Sequence, residues 1–119
     1  MAVKNVISDM DGVIYRGKSL VPGAKVFVDR LIAENTKFLF LTNNSEQTPL
    51  DLKRKLEGLG ISGIHETNFI TSAMATASFL RNQCPGGTLY VIGGGGLISE
   101  LYKVGFSISE TKPDYVVVG

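Results

Sequence analysis

The sequence has little of three things that each mark a particular class of protein: cysteine, histidine and net charge. Its one cysteine, Cys84, excludes an internal disulfide and a cysteine metal cluster, and fits a reducing cytoplasm. His65 is the only histidine and falls in a predicted loop, so the composition argues against a cysteine-histidine nucleophile. The formal net charge of +1 implies neither a nucleic-acid partner nor a membrane partner.

Long apolar runs are also missing from the sequence. No stretch is long and apolar enough to span a membrane, and the first residues lack the basic-then-apolar pattern of a secretion signal. The chain has 119 residues, of which 44% are hydrophobic and 19% charged, and this is typical of one soluble globular domain with its own core. We therefore expect a cytoplasmic protein, and the composition leaves a homo-oligomer open.

A short apolar run near the start of the chain ends abruptly in acidic residues. Val3, Val6 and Ile7 predict a short buried strand of a parallel sheet, and Asp9 follows at its carboxyl end. Parallel-sheet enzymes place their chemistry at this end of their strands. A carboxylate can attack phosphorus to give an aspartyl phosphate, so Asp9 is a candidate nucleophile.

Asp11 and Gly12 complete this first motif. Asp11 is close enough in sequence to protonate a leaving group and then to activate water, and Gly12 lets the chain turn away after the strand. A calcium-binding helix-loop-helix also opens with this pattern, but Val13 stands where that loop needs Asp or Asn. A plain polar turn at the end of a strand is the alternative that these residues leave open.

A second apolar run, residues 38–41, is cut off in the same way. Four small polar residues follow it: Thr42, Asn43, Asn44 and Ser45. The Thr42 hydroxyl and the backbone amides around Asn43 are able to hold a phosphoryl oxygen beside Asp9, provided that the two strands are parallel neighbours. A helix between the strands would make them so. On this segment alone, a helix-capping loop is an equally good interpretation.

The segments around these motifs carry strand and helix patterns in turn. Residues 13–21 predict a small hairpin with its turn at Gly17, and residues 24–35 predict the crossover helix. The apolar positions of this helix recur at helical spacing and are expected to be buried: Phe27, Val28, Leu31 and Ile32.

Two further helices are predicted before residue 85. Thr48 and Pro49 mark the start of the first, on which the basic residues 53–55 are interpreted as a solvated face. Residues 68–71 predict a short strand, and Ser72 is the expected cap of the helix that follows it.

The stretch 85–87, Pro-Gly-Gly, is the predicted boundary, because the pattern restarts after it. Residues 88–92 and 115–118 predict strands around a helix, which together form one βαβ unit. The four glycines at 93–96 invite a dinucleotide interpretation, but the glycine spacing of that motif fails at Ile98 and at Ser99. A tight strand-to-helix turn is the favoured interpretation.

Taken together, these motifs resemble a known family. Residues 9–13, Asp-Met-Asp-Gly-Val, resemble the first motif of the haloacid dehalogenase-like phosphatase superfamily, and residues 42–45 resemble its second. The motif order, residues 20–24 between the motifs and residues 71–77 after them are similar to the NagD-type branch, which includes nucleotide and p-nitrophenyl phosphatases. The resemblance runs over essentially the whole chain.

The resemblance implies a fold and a domain organisation. The fold is a Rossmann-like parallel sheet with helices on both faces, followed by the start of an α/β cap domain. Residues 1–84 are implied to form the first part of the catalytic core, and residues 85–119 the start of the cap, with the chain ending inside it. In this family the hairpin overhangs the active site as a flap, and the cap supplies substrate specificity.

The resemblance also implies roles for single residues. Asp9 is implied to be the nucleophile and a magnesium ligand. Asp11 is implied to be the general acid and base whose backbone carbonyl also meets magnesium, and Thr42 to bind phosphate. A second Asp at position 11 favours phosphatase over dehalogenase chemistry. The other members of the implied phosphate-binding set lie beside these residues: Gly12, Asn43 and Asn44.

Two motifs of the family have no counterpart in this sequence. They are a Lys that neutralises the aspartyl phosphate and an acidic pair that completes the magnesium site, and both would follow the cap. Glu110, Lys112 and Asp114 fall within the cap pattern and do not replace them. The sequence is thus similar to the amino-terminal half of a longer phosphatase. We expect exposed apolar sheet edges, and the absence of these two motifs leaves the activity of the chain by itself open.

The predicted function is a magnesium-dependent phosphomonoester hydrolase that works through an aspartyl phosphate. Its expected partner is a small phosphate ester such as a nucleotide, a sugar phosphate or p-nitrophenyl phosphate, and the sequence does not choose among them. Two alternatives stay open. The first alternative is a noncatalytic fragment or binding module. The second is a phosphoacceptor signalling domain, which also uses an Asp at the tip of a strand.

Overall fold

The computed structural model describes residues 4–119, which form two compact units. The first contains the chain up to Thr42 and Pro49–Ile70, and the second contains Asn43–Thr48 and Thr71–Gly119. Val3, the first residue of the predicted first strand, lies outside the described residues. Each unit has parallel strand pairs, helices and its own hydrophobic core, so the predicted α/β class is confirmed. The division into core residues 1–84 and cap residues 85–119 stays a prediction.

The first unit is built on a sheet in the order β1-β4-β5. β1 and β4 are parallel, with Asn5 opposite Lys37 and Asp9 opposite Leu41. The predicted hairpin is present as β2 and β3, which are antiparallel around Gly17. The elements of this part of the chain are β1 (Asn5–Asp9), β2 (Tyr15–Arg16), β3 (Ser19–Leu20), α1 (Ala24–Ala33), β4 (Lys37–Thr42), α2 (Pro49–Gly58), a 3-10 turn (Glu66–Asn68) and β5 (Phe69–Thr71).

The two faces of the β1-β4 pair differ in burial. Successive side chains of a strand point to opposite faces, and Phe38 and Phe40 of β4 lie in the core together with residues of α1 and α2. On the other face Ile7 is 66% exposed and Leu41 is 40% exposed. The prediction that β1 is a buried strand is therefore wrong, and apolar side chains are exposed on this face of the strand pair.

Helix α1 also differs from its prediction. Ala24, Val28 and Leu31 are buried, but Phe27 and Ile32 are exposed, because the stripe that faces the core is narrower than the apolar pattern suggested. The helix ends at Ala33 instead of residue 35. Asn35 adopts a left-handed backbone conformation (φ 53°), and the amide of Thr36 donates to the Leu31 carbonyl, which is the geometry of a Schellman C-cap.

The second unit has a sheet in the order β7-β6-β8, in which both pairs are parallel. The strands predicted at 88–92 and 115–118 and the helix between them are confirmed, whereas two-residue β7 carried no sequence signal. The cap of the first helix is Thr71, not Ser72, since the Thr71 hydroxyl accepts from the Met74 amide at 3.1 Å. The elements are α3 (Ser72–Gln83), β6 (Thr88–Ile92), α4 (Gly95–Lys103), β7 (Ser107–Ile108) and β8 (Tyr115–Val118).

The helices of residues 4–119 are short. The longest, α3, has 12 residues. α2 begins at Pro49, as predicted, because proline lacks the backbone N–H that the first helical position leaves unused. In the described part of the chain, none of the helices has both the length and the apolar content that crossing a membrane requires.

Candidate active site

The parallel pairing of β1 and β4 places Asp9 and Thr42, one residue from each predicted motif, at the carboxyl end of the first sheet. Asp9 is the last residue of β1 and lies opposite Leu41, and Thr42, the last residue of β4, comes one position later. The Asp9 carboxylate is exposed, and its Oδ1 accepts a hydrogen bond from the Met10 amide at 2.8 Å. The prediction that the helix between the motifs makes their strands neighbours is therefore confirmed.

Asp11 stands on a tight turn that follows β1. The Met10 carbonyl accepts from the Ile14 amide at 2.8 Å, and the Gly12 amide donates to the Tyr15 carbonyl at 2.8 Å. Gly12 has a φ of 78°, which a residue with a side chain rarely adopts. The predicted turn at Gly12 is present. Its amide donates within the turn, and its predicted part in phosphate binding stays a prediction.

The pKa of Tyr15 is affected by the negative charges of this site. Tyr15 is 4% exposed, and the pKa of its phenol is raised, first by burial and then by the negative charges of Asp11 and Asp9. Both carboxylates therefore act on the same buried ring. A site that contributes negative charge in this way is suited to a cation.

Magnesium fits the donors that Asp9 and Asp11 supply. Mg²⁺ binds hard oxygen ligands and is commonly held by one or two carboxylates, with water and substrate phosphate completing its shell. Both side chains are exposed carboxylates within three residues of each other in sequence. Within residues 4–119 no group of three His, Cys, Asp or Glu side chains is placed to hold a metal.

Thr42 differs from Asp9 in its burial and in the face of the sheet on which it lies. It is 9% exposed, and the alternation along β4 assigns it to the face of Phe38 and Phe40, while Asp9 lies on the face of Ile7. The backbone of Thr42 is at the edge that carries Asp9, whereas its side chain is largely buried. Its role in phosphate binding stays a prediction.

The loop after Thr42 is held in place by contacts within the second unit. The Asn44 side chain accepts from the amides of Glu46 at 2.8 Å and Gln47 at 3.1 Å, which closes the loop on itself. The Asn43 carbonyl accepts from the Ser72 hydroxyl at 2.9 Å, and the Glu46 carbonyl accepts from the Gly96 amide at 3.1 Å. Asn44 thus has a local structural role, closing the loop with its own side chain. The predicted phosphate contacts of Asn43 and Asn44 stay predictions.

Gly96 is the glycine of the 93–96 run that the backbone of this loop approaches most closely. A Cβ added at Gly96 would overlap the Glu46 carbonyl, whereas a Cβ at Gly95 would meet nothing within 4 Å. The run of four glycines in the sequence does not show which of these two positions lies close to the loop. Only the packing of the loop against α4 shows it.

We expect Gly96→Ala to lower the free energy of unfolding by about 1–3 kcal/mol, the usual effect of forcing an extra methyl into packed structure. It should also shift the backbone NMR signals of residues 43–47. Gly95→Ala is the matched control and should leave both unchanged or raise stability by up to about 1 kcal/mol, since alanine favours helix. Equal effects of the two variants would contradict the close contact between Gly96 and the loop.

Comparison with known proteins identifies the family. A family model described as haloacid dehalogenase-like hydrolase matches residues 6–107, most of the chain. The chain belongs to the haloacid dehalogenase-like hydrolase family. The resemblance of the motifs at residues 9–13 and 42–45 is thereby confirmed, and β1 and β4 are the strands that carry them.

Individual relatives are phosphatases by name. The chain is 44% identical to the ribonucleotide monophosphatase NagD of Escherichia coli over 119 residues, which are all of this chain and 47% of that protein. The NagD structure superposes with a TM-score of 0.91 over the same shares. A dihydroxyacetone phosphatase of Corynebacterium glutamicum is 41% identical over 95% of this chain and 41% of its own length. The chain thus spans less than half the length of these curated relatives.

A third relative was solved with a metal. A glycerol phosphate phosphatase from Mycobacterium tuberculosis, described as a complex with magnesium, has a TM-score of 0.88 and 28% identity. It covers 98% of this chain, and this chain covers 35% of it. Magnesium is therefore found in a structure of this family, which agrees with the chemistry of the Asp9 and Asp11 donors.

Proposed function

We propose that this protein is a magnesium-dependent phosphomonoester hydrolase that works through an aspartyl phosphate on Asp9. The observation that carries the proposal is the placement of Asp9 and Thr42 at the carboxyl edge of one parallel strand pair, with Asp11 on the turn beside them. The names of the relatives, which are phosphatases, support the same class of reaction.

The reaction would proceed in two steps. A carboxylate oxygen of Asp9 attacks phosphorus in line with the ester oxygen, an Asp9 oxygen–phosphorus bond forms, and the ester oxygen–phosphorus bond breaks. Asp11 gives its proton to the departing alkoxide and becomes a carboxylate. Asp11 then takes a proton from water, the water oxygen attacks phosphorus, and Asp9 leaves as a free carboxylate together with inorganic phosphate.

The remaining residues would hold the transferring group. Backbone amides after Thr42 and the Thr42 hydroxyl are the proposed donors to the phosphoryl oxygens, with Asn43, Asn44 and Gly12 completing the set. Magnesium, held by Asp9 and Asp11, would offset the negative charge of the phosphoryl group. Small phosphate esters are the proposed substrate class. Nucleotides, sugar phosphates and p-nitrophenyl phosphate all belong to it.

The proposal is tested by the release of p-nitrophenol from p-nitrophenyl phosphate by the 119-residue chain, with magnesium and with a chelator. We expect release with magnesium and none with the chelator, because the two carboxylates at the strand edge then repel the anionic substrate. Release that is insensitive to the chelator would contradict a magnesium-dependent reaction.

Two other outcomes would favour the alternatives. A folded chain that neither releases p-nitrophenol nor takes up phosphate would be a noncatalytic module. A chain that takes up ³²P from a phosphodonor and keeps it on Asp9 would be a phosphoacceptor signalling domain, since a hydrolase must return Asp9 to its free form. Loss of the ³²P label from Asp9 within the catalytic cycle supports the hydrolase.

A further inference from the structure

Lys55 does not lie on a purely solvated face of α2, as the basic run at 53–55 suggested. Its ammonium Nζ lies 3.9 Å from the centroid of the Tyr15 ring. Lys55 is half-buried, while its neighbour Arg54 is exposed. An ammonium over the face of an aromatic ring is attracted by the ring quadrupole, and partial burial strengthens the attraction by limiting competition from water.

Tyr15 is the residue on which the Asp11 turn closes. The Tyr15 carbonyl accepts from the Gly12 amide, and Asp11 and Tyr15 are paired as an isolated bridge. The Tyr15 amide also reaches the Met10 carbonyl, at 3.4 Å. The backbone position of Asp11 therefore depends on where Tyr15 is held.

The charges around Tyr15 are complementary. Burial, and after it the negative charges of Asp11 and Asp9, raise the pKa of the Tyr15 phenol, and Lys55 supplies a cation over the ring from a different element, α2. Tyr15 itself is in the hydrophobic core with Leu52 and Leu56 of the same helix. Tyr15 thus shares a core with apolar residues of α2, and Lys55 adds a contact that requires positive charge.

We propose that Lys55 is a positioning residue for the Asp11 turn. Its ammonium holds the Tyr15 ring against α2, and the hydrogen bonds of residues 10–15 transmit this restraint to Asp11. The catalytic meaning of the inference rests on the proposed function, in which Asp11 exchanges protons with the leaving group and with water. The structural part of the inference does not depend on the proposed function, because it concerns the mobility of the turn in the chain without substrate.

The first test is amide hydrogen exchange of the 119-residue chain, measured residue by residue by NMR. Exchange reports how often a local region opens. Lys55→Met keeps the length of the side chain and removes its charge. We expect it to speed exchange at Gly12 and Ile14 by about twofold to thirtyfold, the range to which a cation–π contact corresponds. Exchange at Leu56, inside α2, should not change.

Three variants decide whether the charge on the ring is responsible. Lys55→Arg keeps a cation over the ring and should restore exchange at Gly12 and Ile14 to the wild-type rate. Lys53→Met removes a half-buried lysine from the same helix and should have no effect. In a Tyr15→Leu background, Lys55→Met should add nothing further, because residues that act through one contact are not additive.

The inference is overturned if Lys55→Met leaves exchange at Gly12 and Ile14 at the wild-type rate, or if Lys55→Arg exchanges as fast as Lys55→Met. It is also overturned if Leu56 accelerates as much as the turn does, since Lys55 would then stabilise α2 in general. With p-nitrophenyl phosphate, Lys55→Met should lower kcat and leave KM unchanged. A wild-type chain without phosphatase activity contradicts the proposed function but leaves the exchange result, and so the inference on the turn, standing.

Discussion

Replacing Asp9 with asparagine is expected to abolish the hydrolysis of p-nitrophenyl phosphate, with a loss of at least about a thousandfold in kcat. The neutral amide cannot attack phosphorus as a carboxylate does, so no aspartyl phosphate forms. The fold should be unaffected, because Asp9 is exposed and an asparagine Oδ1 can still accept the hydrogen bond from the Met10 amide. The rate is measured as p-nitrophenol release with magnesium, and circular dichroism shows that the variant is folded.

Asp29→Asn provides the matched control for this experiment. Asp29 is a surface residue of α1 that pairs with Lys25 at 2.6 Å, four positions earlier on the helix. The same change of carboxylate to amide there should leave kcat and KM unchanged, since exposed ion pairs contribute little. If Asp9→Asn turned over substrate at the wild-type rate, Asp9 would not be the nucleophile, and the proposed mechanism would fail at its first step.

The second large effect is expected for Phe40→Ala in the core of the first unit. Phe40 is fully buried, and its ring lies 5.3 Å from the ring of Phe38 and 5.5 Å from that of Phe69. Removing it leaves a cavity beside the rings of Phe38 on β4 and Phe69 on β5, which typically costs about 3–5 kcal/mol. Because domains of this size are stable by only about 5–15 kcal/mol, much of the stability should be lost. Urea denaturation followed by circular dichroism measures the change.

Phe27→Ala is the control with the same chemical change in the same unit. Phe27 is 41% exposed on α1, so its removal leaves no closed cavity, and alanine is a better helix former. We expect a change of roughly 1 kcal/mol or less. Similar losses for the two variants would show that Phe40 does not lie at the centre of the core.

Both motifs of the candidate active site could be found from the sequence. An apolar run that stops at Asp9 and another that stops at Thr42 are local patterns, and a helix between two strands makes parallel neighbours almost by rule. What the sequence did not indicate is how the surrounding residues support the motifs. The hydrogen bond from Ser72 to Asn43, the close approach at Gly96 and the place of Lys55 over Tyr15 join segments that are distant along the chain.

The sequence by itself determined where most elements begin and end. Pro49 starts α2, strands 88–92 and 115–118 appear as predicted, and the turn at Gly12 is present, because helix starts, turns and strand patterns depend on neighbouring residues. Only the tertiary structure decided the exposure of Ile7, Phe27 and Ile32 and the choice of Thr71 as the helix cap. Apolar periodicity shows which residues are able to be buried. Which of them are buried depends on the elements that pack against each face, and no local pattern contains that information.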